Sequence, residues 1–291
     1  MAANYNLHLH THWSYDSEVA PEAYLKRATE LGMRCIAFTD HDNIDVRRDL
    51  ERLAPQYPHV RAVLGAEFDV DSPIGPHHIL AYGFSRPISP SLDKLLAAYR
   101  ERYHQQAACL CRDIQAEGIN FSEGDLAALL HSVRPEHVVS VQGLTPVSRR
   151  RLGEYFVRRG FLAEGEDVTK LTGLVLDPSI PLPTADRVIP ALKESGALVA
   201  AAHPTVFWRG ERRVVVDFSD RHMDTLRETF QLDGVECVHM PPDQRQACRV
   251  YCTRHGLFSV AGTDLHRAEG DFDLGSHGGS NDWLDGFLER L

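Results

Sequence analysis

Histidines and carboxylates adjoin short apolar runs along the whole chain, and residues of these types could hold metal ions. The residues placed in this way are His8, His10, His41, Glu67, His78, His203, Asp264 and His266. Residues at the carboxyl ends of parallel strands share one face of an α/β sheet or barrel, where active sites are built. Imidazole and carboxylate ligands without thiolates suit zinc, manganese or iron at a hydrolytic site. The pattern predicts a polynuclear site whose two or three ions activate water and hold phosphate oxygens.

Two of the motifs have a spacing that favours a shared ligand face. His8 and His10 stand two residues apart, so both imidazoles leave a strand on the same side. Asp264 and His266 repeat this spacing with a carboxylate and an imidazole. Asp16 follows the first motif across a turn and has an alternative interpretation as a helix cap before a proline.

Other candidates are carboxylates that follow apolar residues. Asp40 and Asp42 flank His41 at the end of a strand, and we expect them to orient imidazoles, because metal-bound histidines usually donate their second N–H to such groups. Glu67 is a lone carboxylate that could bridge two metals. Taken alone, it would more often be a solvated loop charge.

Composition restricts the class of ligand. The chain has 291 residues, of which 43% are hydrophobic, enough for one large domain or for a domain with an insertion. Its 41 acidic and 31 basic residues give a net charge of −10, which argues against a general electrostatic grip on nucleic acid. We therefore expect a small phosphorylated partner and no stable nucleic-acid complex, although a local basic pocket is compatible with this charge.

The cysteines and the N-terminus indicate a cytoplasmic protein. The six cysteines form no CxxC pair and lie mostly in apolar stretches, at Cys35, Cys109, Cys111, Cys237, Cys248 and Cys252. The first residues lack the basic and apolar regions of a signal peptide, and no apolar run reaches the roughly 20 residues that span a bilayer. We predict a cytoplasmic location and no membrane partner.

The order of apolar and amphipathic segments predicts an α/β fold with an insertion. Strands are expected near residues 5–10, 35–40, 60–66, 77–83, 197–202, 233–238 and 257–262, and helices over 21–31, 43–53, 184–195, 222–230 and 243–255. This alternation is typical of β-α units around parallel strands. Residues 85–183 show only helical patterns, at 92–117, 123–130 and 149–159. We predict a barrel domain from 1–84 and 184–291 and a helical, substrate-capping insertion over 85–183.

The complete set of motifs resembles the PHP (polymerase and histidinol phosphatase) family. The matching pieces occur in the family order and are His8-Leu-His10-Thr11, Ser14-Tyr-Asp16, Thr39-Asp-His41-Asp42, Gly65-Ala-Glu67, His78-Ile-Leu, Ala202-His203-Pro204 and Gly262-Thr-Asp264-Leu-His266. The resemblance implies a distorted (β/α)7 barrel with a trinuclear metal centre.

The resemblance also implies a division of the ligands. His8, His10, Glu67 and Asp264 would hold a first metal, Asp16, His41 and His266 a second, and Glu67 would bridge to a third held by His78 and His203. The resemblance to the family is also the reason for naming His78 rather than His77 as the ligand. Asp16, His41, His203 and Asp264 are the expected catalytic residues. A hydroxide between the first two metals would attack phosphorus.

The substrate contacts are predicted less directly. The helical insertion resembles that of PHP nucleotide phosphatases acting on AMP or 3′,5′-bisphosphonucleosides, in which an arginine of a segment similar to 147–151 faces the phosphate. Arg149 is the best match, and Arg150 or Arg151 would take its place in a shifted register. An alternative is a basic helix surface. Further candidates near the motifs are His12, His239, Trp208 and Arg209.

The leading functional prediction is a metal-dependent phosphoesterase that hydrolyses a small phosphorylated metabolite, with a nucleotide monoester as the expected substrate. One alternative is a phosphodiesterase acting on a cyclic phosphate or the end of a short oligonucleotide. An alternative of another class is a regulatory PHP module that binds metal without catalysis.

Overall fold

A curled seven-stranded sheet forms the framework of the protein. The computed structural model describes residues 3–172, 175–209, 212–268, 270 and 272–291. The strands of this sheet, in spatial order, are β1 Tyr5–Asn6, β2 Cys35–Phe38, β3 Arg61–Val70, β4 His77–Tyr82, β5 Leu198–Ala201, β8 Gly234–Glu236 and β9 Phe258–Val260. A separate hairpin follows β5 and pairs β6 Val206–Arg209 with β7 Arg212–Val215. The predicted α/β fold class is confirmed.

The strands form where apolar residues run without interruption. All four residues of β2 and all three of β8 are buried, as expected for strands covered on both faces. Residues of β3, β4 and β5 join one continuous core with those of the surrounding helices. The strands therefore hold their ends in fixed positions.

One strand departs from the expected parallel arrangement. β4 runs antiparallel to both β3 and β5, and His78 stands opposite Asp69 in the register. The connection over residues 71–76 is too short for a parallel crossover, which needs about a dozen residues or more. Because β4 is reversed, its first residues lie beside the last residues of its neighbours. His78 begins its strand and still reaches the same end of the sheet.

Backbone hydrogen bonds join the two edges of the sheet. The Leu7 amide donates to the Ala261 carbonyl at 3.0 Å, and the Asp264 amide donates to the His8 carbonyl at 3.0 Å. Gly262 makes this approach possible, because a Cβ at this position would lie 2.3 Å from the His8 Cβ. The seam therefore places the first and the last motif of the chain side by side.

Eleven helices are found in the described residues, and most lie where the sequence predicts them. They are α1 Pro21–Glu30, α2 Arg47–Leu53, α3 Pro90–Ala116, α4 Glu123–Val133, α5 Glu136–Gln142, α6 Arg149–Arg158, α7 Thr169–Thr172, α8 Ala185–Glu194, α9 Asp220–Phe230, α10 Pro242–His255 and α11 Asn281–Leu288. The sequence did not indicate α5, α7, α11 or the β6–β7 hairpin. None of the described helices combines the length and apolar character that crossing a bilayer requires.

The long helix α3 packs in two different cores. Leu92 and Tyr99 in its first half join the core of the large sheet, whereas Leu110 and Ile114 in its second half pack with the helices that follow. The second core contains Phe156 of α6. The helical segment thus has a core of its own, and the start of α3 fastens it to the sheet. The predicted domain boundaries at 85 and 183 remain a prediction.

Candidate metal centre

Glu67 lies at the centre of the site, near the middle of β3, with 1% of its surface exposed. Its Oε2 atom is 3.1 Å from both His8 Nε2 and His10 Nε2. Its Oε1 atom is 3.0 Å from His78 Nδ1 and 3.1 Å from His203 Nε2. One carboxylate therefore contacts imidazoles from three different places along the chain.

The predicted ligands form three overlapping groups around this carboxylate. The groups are His8, His10, Glu67 and Asp264, then His10, Asp16, His41 and His266, and then His41, Glu67 and His78. Within each group the potential ligand atoms lie within 4.8 Å of one another. The structure thus brings together all the residues that the sequence proposed as metal ligands, with His203 joined through its contact with Glu67.

The side chains in these groups fit divalent cations. In the described part of the chain, His10 Nδ1 is buried without a hydrogen-bond partner, and His10 Nε2 and Asp264 Oδ1 lie 3.1 Å apart without forming a hydrogen bond. Buried polar atoms that lack a partner are costly, and coordination to a cation would satisfy them. The mixture of imidazole and carboxylate groups is one that zinc, manganese and iron accept.

The charge of the central carboxylate is stabilised by its neighbours. Burial raises the pKa of Glu67, but the positive charges of His8, His78 and His41 outweigh burial and hold the pKa well below its usual value. Glu67 is therefore ionised at neutral pH and available as an anionic ligand.

Glu236, at the end of β8, is a site residue that the sequence analysis missed. It is fully buried, its Oε1 lies 3.0 Å from His8 Nδ1, and its Oε2 accepts a hydrogen bond from the His203 amide at 2.7 Å. Burial raises its pKa, yet His8 and His239 lower it below the usual range. The signal was available, because Glu236 is a carboxylate that interrupts an otherwise apolar segment between Val235 and Val238.

Asp69 is a second missed residue, two positions after Glu67 on β3. Its Oδ1 is 3.2 Å from His78 Nε2 and 3.5 Å from His41 Nδ1. Burial raises its pKa, but His78 and His41 bring it to about 2. The period of two places Asp69 and Glu67 on the same face of the strand. A search for carboxylates at this spacing would have found it.

Asp40 and Asp42 have a different role from the one expected. Asp40 accepts from the amide and the hydroxyl of Thr11 at 2.5 and 2.8 Å. Asp42 accepts from the Asp69 amide at 2.8 Å and from the Tyr103 hydroxyl at 2.9 Å. These carboxylates therefore hold the segments that carry the ligands, and among the described residues they form no hydrogen bond with an imidazole.

The backbone is strained where the ligand strands end. Asp42, His203, His239 and Asp264 have φ values of 58°, 25°, 60° and 53°, in the left-handed region that non-glycine residues seldom adopt. Such conformations cluster at functional sites, where the surrounding structure enforces them. Here the amides of Asp42 and Asp264 donate to the Glu67 and His8 carbonyls, and the His203 amide donates to Glu236.

The predicted arginines lie on the surface of α6. Arg149 forms an ion pair with Asp167 at 2.8 Å, and Arg150 forms one with Glu154 at 2.7 Å. Both line an open groove together with Arg267, the residue after His266. The groove therefore connects the arginines of α6 with the chain segment that carries a predicted ligand.

The remaining substrate candidates lie outside the ligand groups. His12 is buried, and its Nε2 is 3.1 Å from Asp49 Oδ2, on the side facing α2. His239 stands 3.6 Å from Glu236, with its ring centroid 6.4 Å from that of His203. The side chains of Trp208 and Arg209 lie outside the described residues.

Arg134, between α4 and α5, fastens the helical segment to the loop that carries Asp16. Its guanidinium is buried and donates to the Ser14 carbonyl at 3.0 Å and to the Thr145 hydroxyl at 2.8 Å. The Ser14 hydroxyl in turn donates to Asp16 Oδ1 at 2.7 Å. Burial lowers the pKa of Arg134 to about 10. Arg134 therefore remains charged at neutral pH and positions the Asp16 loop.

We expect Arg134→Met to destabilise the protein by about 1–3 kcal/mol, because it leaves the buried Ser14 carbonyl without its donor. Urea unfolding of the purified variant measures this effect. Arg48→Met, at an exposed position of α2, is the control and should change stability little. Equal unfolding midpoints for both variants would disprove the anchoring role.

The fold and the site define a metal-dependent hydrolase of phosphoester bonds. Residues 6–130 match the model of the PHP domain, and this part of the chain carries the motifs from His8 to His78.

Similar curated proteins are named as exoribonucleases. The 5′-3′ exoribonuclease Rnm of Escherichia coli strain K12 is 24% identical over 280 residues, which cover 91% of this chain and 86% of the relative. The 5′-3′ exoribonuclease of Haemophilus influenzae is 22% identical over 285 residues, which cover 95% of each chain. The similarity therefore extends through the helical segment.

Solved structures share the fold. A protein assigned as a metal-dependent phosphoesterase from Bifidobacterium adolescentis superposes with a TM-score of 0.77 and 22% identity, covering 100% of this chain and 97% of that one. An amidohydrolase from Chromobacterium violaceum, solved with bound sulfate and no metal, gives a TM-score of 0.67 and 23% identity, covering 94% of this chain and 90% of that one.

Proposed function

We propose that this protein is a phosphodiesterase that removes nucleotides from the 5′ end of short RNA. The observation that carries the hydrolytic part is the set of three overlapping ligand groups, two of which share Glu67 while the third shares His10 and His41 with them. Such a set suits the binding of a phosphoryl group from several sides. The choice of an RNA end over a mononucleotide rests on relatives named as 5′-3′ exoribonucleases, which match over 91% and 95% of the chain.

The residues around Glu67 prepare the site for a phosphoester. Divalent ions bound there would supply water activation and neutralise charge on phosphoryl oxygens. His8, His10, Glu67 and Asp264 would hold one ion, and Asp16, His41 and His266 a second, with His78 and His203 at a third position next to Glu67. Asp16, His41, His203 and Asp264 are the proposed catalytic residues. His41, His203 and Asp264 follow strand ends, and Asp16 lies on a loop held by Arg134, so these positions fix where the reacting phosphate can bind.

The groove beside α6 offers a path for the rest of the RNA strand. It is lined by Arg149, Arg150, Arg158 and Arg267 together with four acidic residues, Glu154, Glu164, Glu166 and Asp167. Arginine forks suit phosphate groups, and paired acidic residues limit general attraction to nucleic acid. This mixture agrees with a chain of net charge −10 that binds a short substrate transiently.

A second candidate is the hydrolysis of a nucleotide phosphomonoester. The acidic net charge favours a small substrate, and the metal-ligand groups suit the hydrolysis of a phosphomonoester as well as a phosphodiester. A cyclic phosphate is a further diester substrate of the same class. A regulatory module without catalysis would bind metal and turn over none of these esters. Two or three manganese, zinc or iron ions and a cytoplasmic location complete the proposal.

Competing substrates test the proposal directly. We expect faster phosphate-ester cleavage with a short 5′-phosphorylated oligoribonucleotide than with mononucleotides, nucleoside bisphosphates or cyclic nucleotides, in the presence of manganese, zinc or iron. Chromatography should show mononucleotides released in order from the 5′ end. Asp264→Asn is the matched negative control. Turnover of mononucleotides alone would replace the RNA proposal with the monoester one, and metal binding without any turnover would favour the regulatory module.

A further inference from the structure

Tyr15 stands beside the predicted metal ligands in a position that the function described so far does not use. It lies between Ser14 and Asp16, and its ring centroid is 5.5 Å from that of His41 and 5.4 Å from that of Tyr103. Tyr15, His41 and Tyr103 line a cleft between the sheet and α3. The aromatic ring is therefore held on two sides next to the site.

The hydroxyl of Tyr15 differs from those of the other tyrosines around the site. Four of these donate to fixed acceptors: Tyr24 to the His10 carbonyl at 2.9 Å, Tyr82 to the Leu7 carbonyl at 2.8 Å, Tyr99 to the Asp69 carbonyl at 2.8 Å and Tyr103 to Asp42 at 2.9 Å. Within the described residues, the Tyr15 hydroxyl has no hydrogen-bond partner. Its donor remains available to a bound molecule.

The surroundings of this hydroxyl favour its role as a donor. Asp16 is the next residue along the chain, and Asp42 accepts a hydrogen bond from Tyr103, whose ring packs beside that of Tyr15. The nearby carboxylates can only accept hydrogen bonds when they are ionised. A phosphate presents only acceptor oxygens when fully ionised, and an O–H group complements it better than another carboxylate would.

We propose that Tyr15 is a catalytic residue whose O–H donates a hydrogen bond to an oxygen of the phosphate bound at the metal centre. No proton is transferred in this interaction. Because His41 and Tyr103 hold the ring, the donor is already oriented, and little conformational entropy is lost when the phosphate binds. This inference rests on the proposed phosphoester substrate and assigns Tyr15 a role in binding it.

The variant Tyr15→Phe removes only the hydroxyl and keeps the aromatic ring. With the metal-loaded protein and the best substrate, we expect kcat to fall about 100-fold, the effect typical of losing one oriented donor. Metal content and the circular dichroism spectrum should remain unchanged. The control is Tyr57→Phe, because the Tyr57 hydroxyl contacts Glu22 on the exposed surface. A kcat equal to that of the control would overturn the proposal.

A binding experiment separates this proposal from the choice of substrate. Calorimetric titration of the manganese-loaded protein with inorganic phosphate should give a Kd about tenfold higher for Tyr15→Phe than for the wild type, as expected for one hydrogen bond to a charged group. A wild type that cleaves no RNA would disprove the proposed function, while this comparison would still decide the role of Tyr15. Equal phosphate affinities, or a loss explained by reduced metal content, would refute the assigned contact.

Discussion

Glu67→Gln is expected to abolish turnover and to release most of the bound metal while the protein stays folded. The carboxylate contacts His8, His10, His78 and His203 with its two oxygens. An amide carries no negative charge, and its NH2 group cannot serve as a ligand. The loss of activity should exceed the roughly 100-fold change caused by losing an outer partner of a metal ligand. Elemental analysis and turnover of the oligoribonucleotide measure both effects.

The control for this substitution changes the same charge elsewhere. Glu30→Gln removes a carboxylate that pairs with Arg27 on the exposed surface of α1. We expect it to keep its metal and its activity. If Glu67→Gln retained full metal content and full turnover, the centre would have to lie elsewhere, and the proposed role of the ligand groups would be wrong.

Much of the site was predictable because its residues interrupt apolar runs. Packing does not explain a histidine or carboxylate beside or within an apolar run, so residues such as His10, His41 and Glu67 stand out without a structure. The reversed direction of β4 was also within reach, since residues 71–76 cannot cross back over the sheet. The sequence showed which residues cluster, although the strand directions were assumed to be parallel.

The contacts made by the helical segment were not predictable in the same way. Arg134 reaches the Ser14 carbonyl across 120 positions of sequence, and nothing in its local pattern distinguishes it from a surface arginine. The unpartnered hydroxyl of Tyr15 emerges only when the partners of the other tyrosines are known. The phosphate contact of Arg149 stays a prediction from its local motif, and the structure adds an ion pair with Asp167 that no local pattern indicated. Such features depend on how helices pack rather than on their own periodicity.

Glu236→Gln is expected to lower metal affinity by about 10–100-fold while turnover at saturating metal is largely retained. Glu236 is not a member of any of the three ligand groups. It accepts a hydrogen bond from His8 Nδ1 and thereby fixes the ring whose Nε2 faces Glu67. An amide in its place would still accept one hydrogen bond but would lose the charge that favours the proton on Nδ1. Titration of metal-free protein with manganese measures the metal affinity. Turnover measured at increasing metal concentrations shows whether kcat also changes.

A second contact of Glu236 and a matched control make this test specific to the residue that orients the ligands. Glu236 also accepts from the backbone amide of His203, so its loss weakens two ligand positions that both adjoin Glu67. Glu228→Gln, at an exposed position of α9, is the control and should change neither affinity nor turnover. An unchanged manganese affinity in Glu236→Gln would show that the sheet edge alone orients His8. A loss of kcat that excess metal does not restore would instead place Glu236 among the groups that act on the substrate.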